Sequence, residues 1–391
     1  MSAANLLVIQ SGGPTAVFNA SLSSVVAEAI QDKKIGRVFG ARFGMSGLRT
    51  GDFVELSGMT PAELAQIRDS PGAALGSSRF KPSEEDLQRC VEHLRLNKIG
   101  QIVFMGGNGT MRAAEVFLEY CGSAGVDAQI IGVPKTIDND IAATDRCPGF
   151  GSAARFVVQS TLDLAADIRS LHQPVSIFET LGRDVGWLSA SSSLARREPD
   201  DAPHLVYLPE VPFETDRFLS DLDNVVARLG WAVVVVSEGI SYGDGTPVFE
   251  QQIPSANGAR NRPLIGGVAQ FLSGLVGERL GVRARSEKPG LIGRSSKAHV
   301  APQDLADAEL VGREAVRALR AGHTGSMVSL LPLGSERGAT ALVSLKDAGG
   351  PRRAVPEGWL SRDALAVTEE FRDYLRPLVG NLRFPWHLQK A

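Results

Sequence analysis

Three times within its first 140 residues, the chain runs from a short apolar stretch into a turn of small or polar residues. Residues 6–9 read as a strand, Gln10-Ser11-Gly12-Gly13-Pro14-Thr15 as a tight turn and residues 19–30 as a helix. Residues 102–105 read as a second such strand, followed by Gly106-Gly107-Asn108-Gly109-Thr110 and a helix over 111–120. The third run, 129–133, is ended by Pro134, which has no N–H to donate, and leads into Lys135-Thr136-Ile137-Asp138-Asn139-Asp140. Strands joined by helical crossovers make a parallel α/β sheet, and such sheets bind ligands just beyond the carboxyl ends of their strands. All three turns fall there. Free N–H groups at a glycine turn that opens a helix favour an anion. The spacing is neither G-x-G-x-x-G nor a P-loop with its lysine, so neither a dinucleotide nor a Walker-type site is predicted. In the third turn Lys135 can hold a phosphate and Thr136 can donate to one, while Asp138 and Asp140 can serve as a base and as a metal or orienting ligand.

An anion site needs local cations here, because the formal charge of the 391 residues is only −3. That balance carries no basic footprint for nucleic acid and no polybasic membrane signal. With 43% hydrophobic and 22% charged residues, the chain has material for two core-bearing domains. Cys90, Cys121 and Cys147 are odd in number and widely spaced, fitting neither a disulfide framework nor a zinc site, so reduced structural thiols are expected. Residues 1–5 lead straight into the first strand and no apolar run approaches the roughly 18 residues of a membrane span, so a cytoplasmic protein without a leader is expected.

Farther along, Thr60 before Pro61 and Glu63, and Ser83 before Asp86, predict helix starts, the second opening an amphipathic helix over 83–96. Between them, residues 71–80 form a glycine-rich turn whose Arg79 is a candidate phosphate fork. Further helices are predicted over 155–170, 213–229, 265–280, 304–321 and 360–375, and strands over 38–42, 175–178, 205–208, 231–236 and 326–331. Residues 241–261 read as a loop or hinge, and an apolar tail through Phe384, Trp386 and Leu388 closes the chain.

An ordered set of motifs narrows this outline. It comprises Ser11-Gly12-Gly13-Pro14-Thr15-Ala16-Val17-Phe18-Asn19-Ala20, Leu75-Gly76-Ser77-Ser78-Arg79, Gly106-Gly107-Asn108-Gly109-Thr110 and Pro134-Lys135-Thr136-Ile137-Asp138-Asn139-Asp140. It continues with Cys147-Pro148-Gly149-Phe150-Gly151-Ser152, Leu181-Gly182-Arg183-Asp184-Val185-Gly186-Trp187 and Pro289-Gly290-Leu291-Ile292-Gly293-Arg294. The set runs over most of the chain and resembles the phosphofructokinase family, most of all its pyrophosphate-dependent 6-phosphofructokinase branch. The resemblance implies an α/β fold of two doubly wound, Rossmann-like three-layer domains with the active site in the cleft between them. Residues 1–140 would bind the donor, completed by part of 290–345; residues 141–289 would bind the acceptor, completed by part of 300–325; residues 346–391 would be an extension with a helix.

The implied reaction is phosphoryl transfer from pyrophosphate to a hydroxyl of fructose 6-phosphate. In it Asp138 is the general base, Thr136 stands beside the transferring group, Asp140 lies near the metal, and Arg183 and Lys135 stabilise charge. Donor contacts are implied for Gly12, Gly13, Arg79, Gly107, Asn108, Gly109, Thr110 and Lys135. Acceptor contacts are implied for Thr136, Asp138, Asp140, Leu181, Gly182, Arg183, Glu238, Arg285 and Arg294. Mg2+ is the implied cofactor, with Asn108 and Asp138 as candidate ligands, and a homodimer or homotetramer is the implied assembly, in which Arg285 would act across an interface, with Arg155 a further candidate.

Four positions bear on the choice of donor, metal and acceptor and leave alternatives open. Lys135, where ATP enzymes have glycine, favours pyrophosphate, whereas Gly109 lacks the aspartate common in pyrophosphate enzymes and leaves ATP open as donor. Asn108 replaces a metal-binding aspartate with a neutral oxygen. Pro174 replaces the cation that grips the 6-phosphate, so either Arg285, Arg294 and a nearby residue such as His172 make up the charge, or the acceptor is a polyol such as myo-inositol or another sugar derivative. Lys297 and His299 add basic residues after Arg294. A binding protein that kept the fold and lost catalysis is a further alternative, against which the intact Lys135, Thr136, Asp138, Asp140 and Arg183 stand.

Overall fold

The structure, a computed structural model, describes residues 4–170, 174–250, 266–361, 363 and 366–386. His172 and Leu388, and most of the loop expected up to residue 261, lie outside these.

The first apolar run is the buried end of β1 (Ala4–Gln10). The chain continues through α1 (Phe18–Ala29), β2 (Ile35–Ala41), α2 (Met45–Thr50), β3 (Phe53–Glu55), α3 (Pro61–Arg68), α4 (Glu84–Leu96), β4 (Ile99–Gly106), α5 (Asn108–Ser123) and β5 (Gln129–Pro134). After α6 (Phe150–Ser170) come β6 (Val175–Thr180), α7 (Trp187–Ser191), β7 (Leu205–Tyr207), α8 (Thr215–Leu229), β8 (Ala232–Ser237), α9 (Val268–Leu280) and β9 (Ala284–Glu287). Then α10 (Ile292–Ser295), α11 (Pro302–Arg320), β10 (Ser326–Leu330), β11 (Thr340–Ser344), α12 (Leu345–Ala348) and α13 (Glu369–Val379) complete it.

Two compact units result. The first takes the chain through Ser152 together with Arg294–Arg353, and the second takes Ala153–Gly293 together with the chain from Ala354 onward. The first holds a seven-stranded sheet in the order β11-β10-β5-β4-β1-β2-β3, parallel except at its two edge pairs. Successive side chains of a strand face opposite ways, and β1 shows it. Leu7 and Ile9 pack with Leu87, Val91 and Phe117, whereas Leu6 and Val8 pack with Phe18, Leu22 and Val311. Helices therefore cover both faces. The second unit holds the parallel sheet β7-β8-β6-β9, with Ile177, Val234, Val236, Phe218 and Leu272 in its core. No helix among the described residues is long and apolar enough to cross a membrane.

Several expectations shift. Helix α11, assigned from sequence in part to the acceptor domain, lies in the first unit, because its Val311, Ala315 and Leu319 fill the core beneath β1 and β4. Its Gly312 permits this approach, since a Cβ there would stand 2.5 Å from the Ser21 carbonyl oxygen of α1. The expected extension divides: residues 346–353 stay with the first unit, and those from Ala354 onward complete the second. Its helix begins at Glu369 rather than 360, where Leu360 instead bridges Val367 antiparallel. The buried stripe Phe371, Leu375, Leu378 and Val379 sets that later start. Pro134, expected to stop the third strand from outside, is its last residue and lies opposite Gly106. Cys90, Cys121 and Cys147 are free thiols, and all three are buried.

Candidate active site

Two buried amides set the first glycine turn. Gln10, at the end of β1, donates from Nε2 to Asn19 Oδ1 at 3.2 Å, and its Oε1 accepts from Leu75 N at 3.1 Å. Asn19 in turn donates to the Ser70 carbonyl at 3.0 Å and accepts from Ala74 N at 2.8 Å. The 70–79 loop is thereby fastened over Gly12 and Gly13. Ser77 Oγ donates to Gly12 O at 2.6 Å and Gly12 N donates to Ser78 O at 3.3 Å, which brings Arg79 to this turn. Sequence reasoning passed over Gln10 and Asn19, although an amide ending an otherwise apolar strand is itself a signal.

The third turn meets the first through Lys135. Only 3% exposed, Lys135 donates from Nζ to Gly13 O at 2.7 Å and lies 4.8 Å from the centroid of the Phe18 ring. Gly12, at φ +82°, is favoured as glycine by that angle, and a Cβ there would press on Nζ at 3.3 Å. A Cβ on Gly13 would stand 3.0 Å from Arg294 Nη1. Burial pulls the Lys135 ammonium down to about 8, against the attraction of Asp138, and Arg294 and Arg79 add to the fall. Burial, then Arg79, likewise lowers Arg294, again opposed by Asp138. Lys135, Arg79 and Arg294 thus form one cationic neighbourhood beside Asp138. An anion placed among them would relieve their mutual repulsion.

Hydrogen bonds to its own backbone shape the turn that carries Asp138. Asp138 N donates to Thr136 Oγ1 at 3.0 Å, and the fully buried Asn139, at φ +53°, accepts from Cys147 N at 3.0 Å. Asn tolerates that left-handed angle better than most residues. Asp304, on α11, holds the following segment: its carboxylate accepts from Gly149 N at 2.8 Å, Ser152 N at 3.0 Å and Ser152 Oγ at 2.5 Å. Thr136 N donates to Pro148 O at 3.2 Å, so Asp304 braces the turn through one intervening strip of backbone. Asp140, buried, is raised from the usual carboxylate range by burial, with Arg352 at 3.6 Å opposing.

In the second glycine turn, Gly107 is the N-cap of α5, and Asn108 Nδ2 donates to Asp140 O at 3.1 Å. Thr110 packs on Gly106, where a Cβ would clash with its Oγ1 at 2.2 Å. A Cβ at Gly109 would meet nothing within 4 Å. That glycine is not demanded by packing. Asn108, Asp138 and Asp140 offer only oxygen donors, the set a hard cation takes. No group of three or more His, Cys, Asp or Glu that could hold a metal exists among the described residues, so Mg2+ would draw its remaining ligands from phosphate oxygens and water, as it commonly does.

In the second unit, the turn after β6 and the turn after β8 interlock. Ser237 Oγ donates to Gly182 O at 2.5 Å, Glu238 N donates to Thr180 O at 3.0 Å, and a Cβ on Gly239 would stand 1.8 Å from Arg183 O. Leu181, Gly182, Arg183 and Glu238 are therefore brought together. Burial, then the neighbouring Glu179, pushes the Glu238 carboxyl up to about 7. Within the one chain Arg285 stands apart from them, exposed on β9 opposite Ser176, about 13 Å upstream of the end of β6 by strand rise. Arg294, expected among the acceptor residues, lies in the first unit against Gly13. Lys297 pairs with Asp69 at 3.6 Å, and His299 shares a hydrogen bond with Ser296 Oγ at 2.7 Å. Pro174 contributes only its carbonyl, which accepts from Ala232 N at 2.6 Å.

The chain is similar to known proteins over most of its length. The chain is 35% identical to the pyrophosphate–fructose 6-phosphate 1-phosphotransferase of Rhodospirillum rubrum over 96% of its own length and 94% of that protein's. It is 34% identical to the sulfofructose kinase of Alkalicoccus urumqiensis over 82% of each. The crystal structure of a pyrophosphate-dependent phosphofructokinase from Marinobacter aquaeolei superposes with a TM-score of 0.86 at 30% identity, covering 98% of this chain and 93% of that one. The family profile for phosphofructokinase matches residues 5–319, a span that starts in β1 and ends in α11. With the profile covering most of its length and the fold matched from end to end, the chain belongs to the phosphofructokinase family.

Proposed function

We propose that the protein transfers a phosphoryl group from pyrophosphate to the 1-hydroxyl of fructose 6-phosphate, releasing phosphate and fructose 1,6-bisphosphate. The observation that carries this reading is Lys135, a buried ammonium seated on Gly13 and acted on by the charges of Arg79 and Arg294, where family members that use ATP have glycine. A compact, highly charged donor suits three clustered cations. The near full-length likeness to a pyrophosphate-dependent phosphotransferase supports the same donor.

In this reading the phosphates lie along the Gly12–Gly13 turn, Arg79, Lys135 and the α5 N-terminus at Gly107 to Thr110. Asp138 takes the proton of the attacking hydroxyl, Thr136 donates to the moving group, and Arg183 meets the charge spread over it. Because such transfers pass through a loose transition state, placement and positive charge do most of the work. Mg2+, when bound, supplies further counter-charge, and Asn108 and Asp138 are the residues that would hold it, with Asp140 beside them. The protein would work in the cytoplasm as a homodimer or homotetramer.

Pro174 and the likeness to a sulfofructose kinase motivate a second reading, in which the donor is the same and the acceptor carries another group on its sixth carbon. One assay separates these. Phosphate release from pyrophosphate is followed with fructose 6-phosphate, 6-sulfofructose and myo-inositol, and ADP release is followed with the same acceptors when ATP replaces pyrophosphate. Fastest turnover per KM with pyrophosphate and fructose 6-phosphate, abolished by Asp138→Ala, is expected; preference for 6-sulfofructose establishes the second reading, and preference for ATP sinks both.

A further inference from the structure

The carboxyl end of the second sheet carries a cation that the reaction as described does not use. β9 pairs in parallel with β6, Glu287 lying opposite Phe178, so that Lys288 emerges beside Glu179 where both strands end. Its Nζ lies 3.2 Å from Glu179 Oε1, and the same ammonium acts on the carboxyl of Glu238. Lys288 thus shares one end of one sheet with Arg183 and Glu238. Arg285 stands three residues earlier, opposite Ser176.

Glu179 does not depend on this lysine for its bonding. Its carboxylate, 2% exposed, accepts from Gly267 N at 2.9 Å on both oxygens and from Ala269 N at 3.0 Å, which ties it to the first turn of α9. A helix N-terminus itself stabilises an anion there. The lysine side chain is 45% exposed and carries three donors, so contact with one carboxylate oxygen leaves capacity for a second anion. The backbone is shaped around it as well. Gly266, at φ +123°, would be strained by any side chain, and a Cβ there would stand 3.0 Å from Glu179 Oε1 and would push Lys288 Nζ from its place.

We infer that Lys288 binds the anionic substituent of the acceptor sugar, taking over from the end of β9 the role left vacant at Pro174 before β6. Glu179 is then a positioning residue that fixes the ammonium, and Glu238 receives sugar hydroxyls beside it. Any tetrahedral monoanion or dianion on the sixth carbon fits this site, phosphate and sulfonate alike. The inference rests on the acceptor being an anionic sugar, as proposed above.

The test compares wild type, Lys288→Met and Lys288→Arg in steady-state assays with fructose 6-phosphate and with neutral fructose, and measures the melting temperature of each. Loss of one charge-assisted contact is expected to raise the fructose 6-phosphate KM of the Met variant about 10- to 100-fold, with the pyrophosphate KM unchanged and the Arg variant largely restored. Discrimination between fructose 6-phosphate and fructose should fall by the same factor. An unchanged fructose 6-phosphate KM in the Met variant overturns the assignment and leaves the reaction standing. So does a parallel loss for both sugars accompanied by a lower melting temperature, which would mark a structural role. If wild type itself transfers phosphate from pyrophosphate to no anionic sugar, the reaction reading fails, and this assignment fails with it.

Discussion

Lys135 couples binding to pH. Its ammonium has been lowered to about 8 by burial, so above that pH the free enzyme loses the charge that a phosphate would meet. The pyrophosphate KM should be flat below pH 8 and climb up to about tenfold per unit above it, which a pH series at saturating acceptor measures. Stability moves the other way. Between about pH 8 and 10.5 the unfolded chain binds more protons than the folded one, so folding strengthens as pH rises, by roughly 3 kcal/mol from this group when complete. Lys135→Met should therefore stabilise the protein at pH 7 by about 1–2 kcal/mol, net of the lost bond to Gly13, while raising the pyrophosphate KM. Gly109 yields a separate outcome. Since a Cβ there meets open space, Gly109→Asp should fold with a melting temperature within a few degrees of wild type and abolish whatever turnover ATP supports. A competition assay between the two donors reads this directly.

At the scale of elements, α11 acts as a brace whose Asp304 holds three donors of the 149–152 segment. Asp304→Ala leaves Gly149 N and both Ser152 donors buried without their partner, and should cost about 2–4 kcal/mol in urea unfolding. Burial pushes the Asp304 carboxyl up to about 6, so the wild type should lose stability as pH rises from about 4 to 6, and the variant should lack that slope. None of this was legible in the chain, because Asp304 reads as an ordinary acid in the first turn of a helix and its partners are 152 and 155 residues away. What could be read was local. The capping boxes at Thr60 and Ser83, the glycine turns and the alternating strand–helix order each depend on neighbours in sequence. The short strands β3, β9 and β11 escaped because they are half exposed and carry charge or only three to five residues, so no apolar period marks them. The position of Arg294 beside Gly13 escaped for the same reason as Asp304.

For the whole molecule, the two units are each built from discontinuous chain, and the second depends on residues beyond Ala354. Trp187, fully buried, has Trp359, Phe371 and Tyr374 with ring centroids at 6.1, 5.9 and 5.9 Å, all supplied by that final segment. Arg155 Nη1 also donates to Val379 O at 2.8 Å. With Trp231 replaced by Phe, Trp187 is the one tryptophan left in a chain ending at Arg353; its emission should lie at the red wavelength of an exposed indole, and unfolding of the second unit should broaden, whereas the blue emission of a buried indole would show the cluster to be dispensable.

The amide pair Gln10 and Asn19 separates the shape of the donor site from its charge. Neutral hydrogen bonds buried beneath the 70–79 loop feel no ionic atmosphere, whereas the exposed Arg79 that the loop presents does. Raising the ionic strength should therefore weaken the long-range attraction for pyrophosphate without loosening the loop, so that salt slows capture of the donor and leaves the geometry that receives it unchanged.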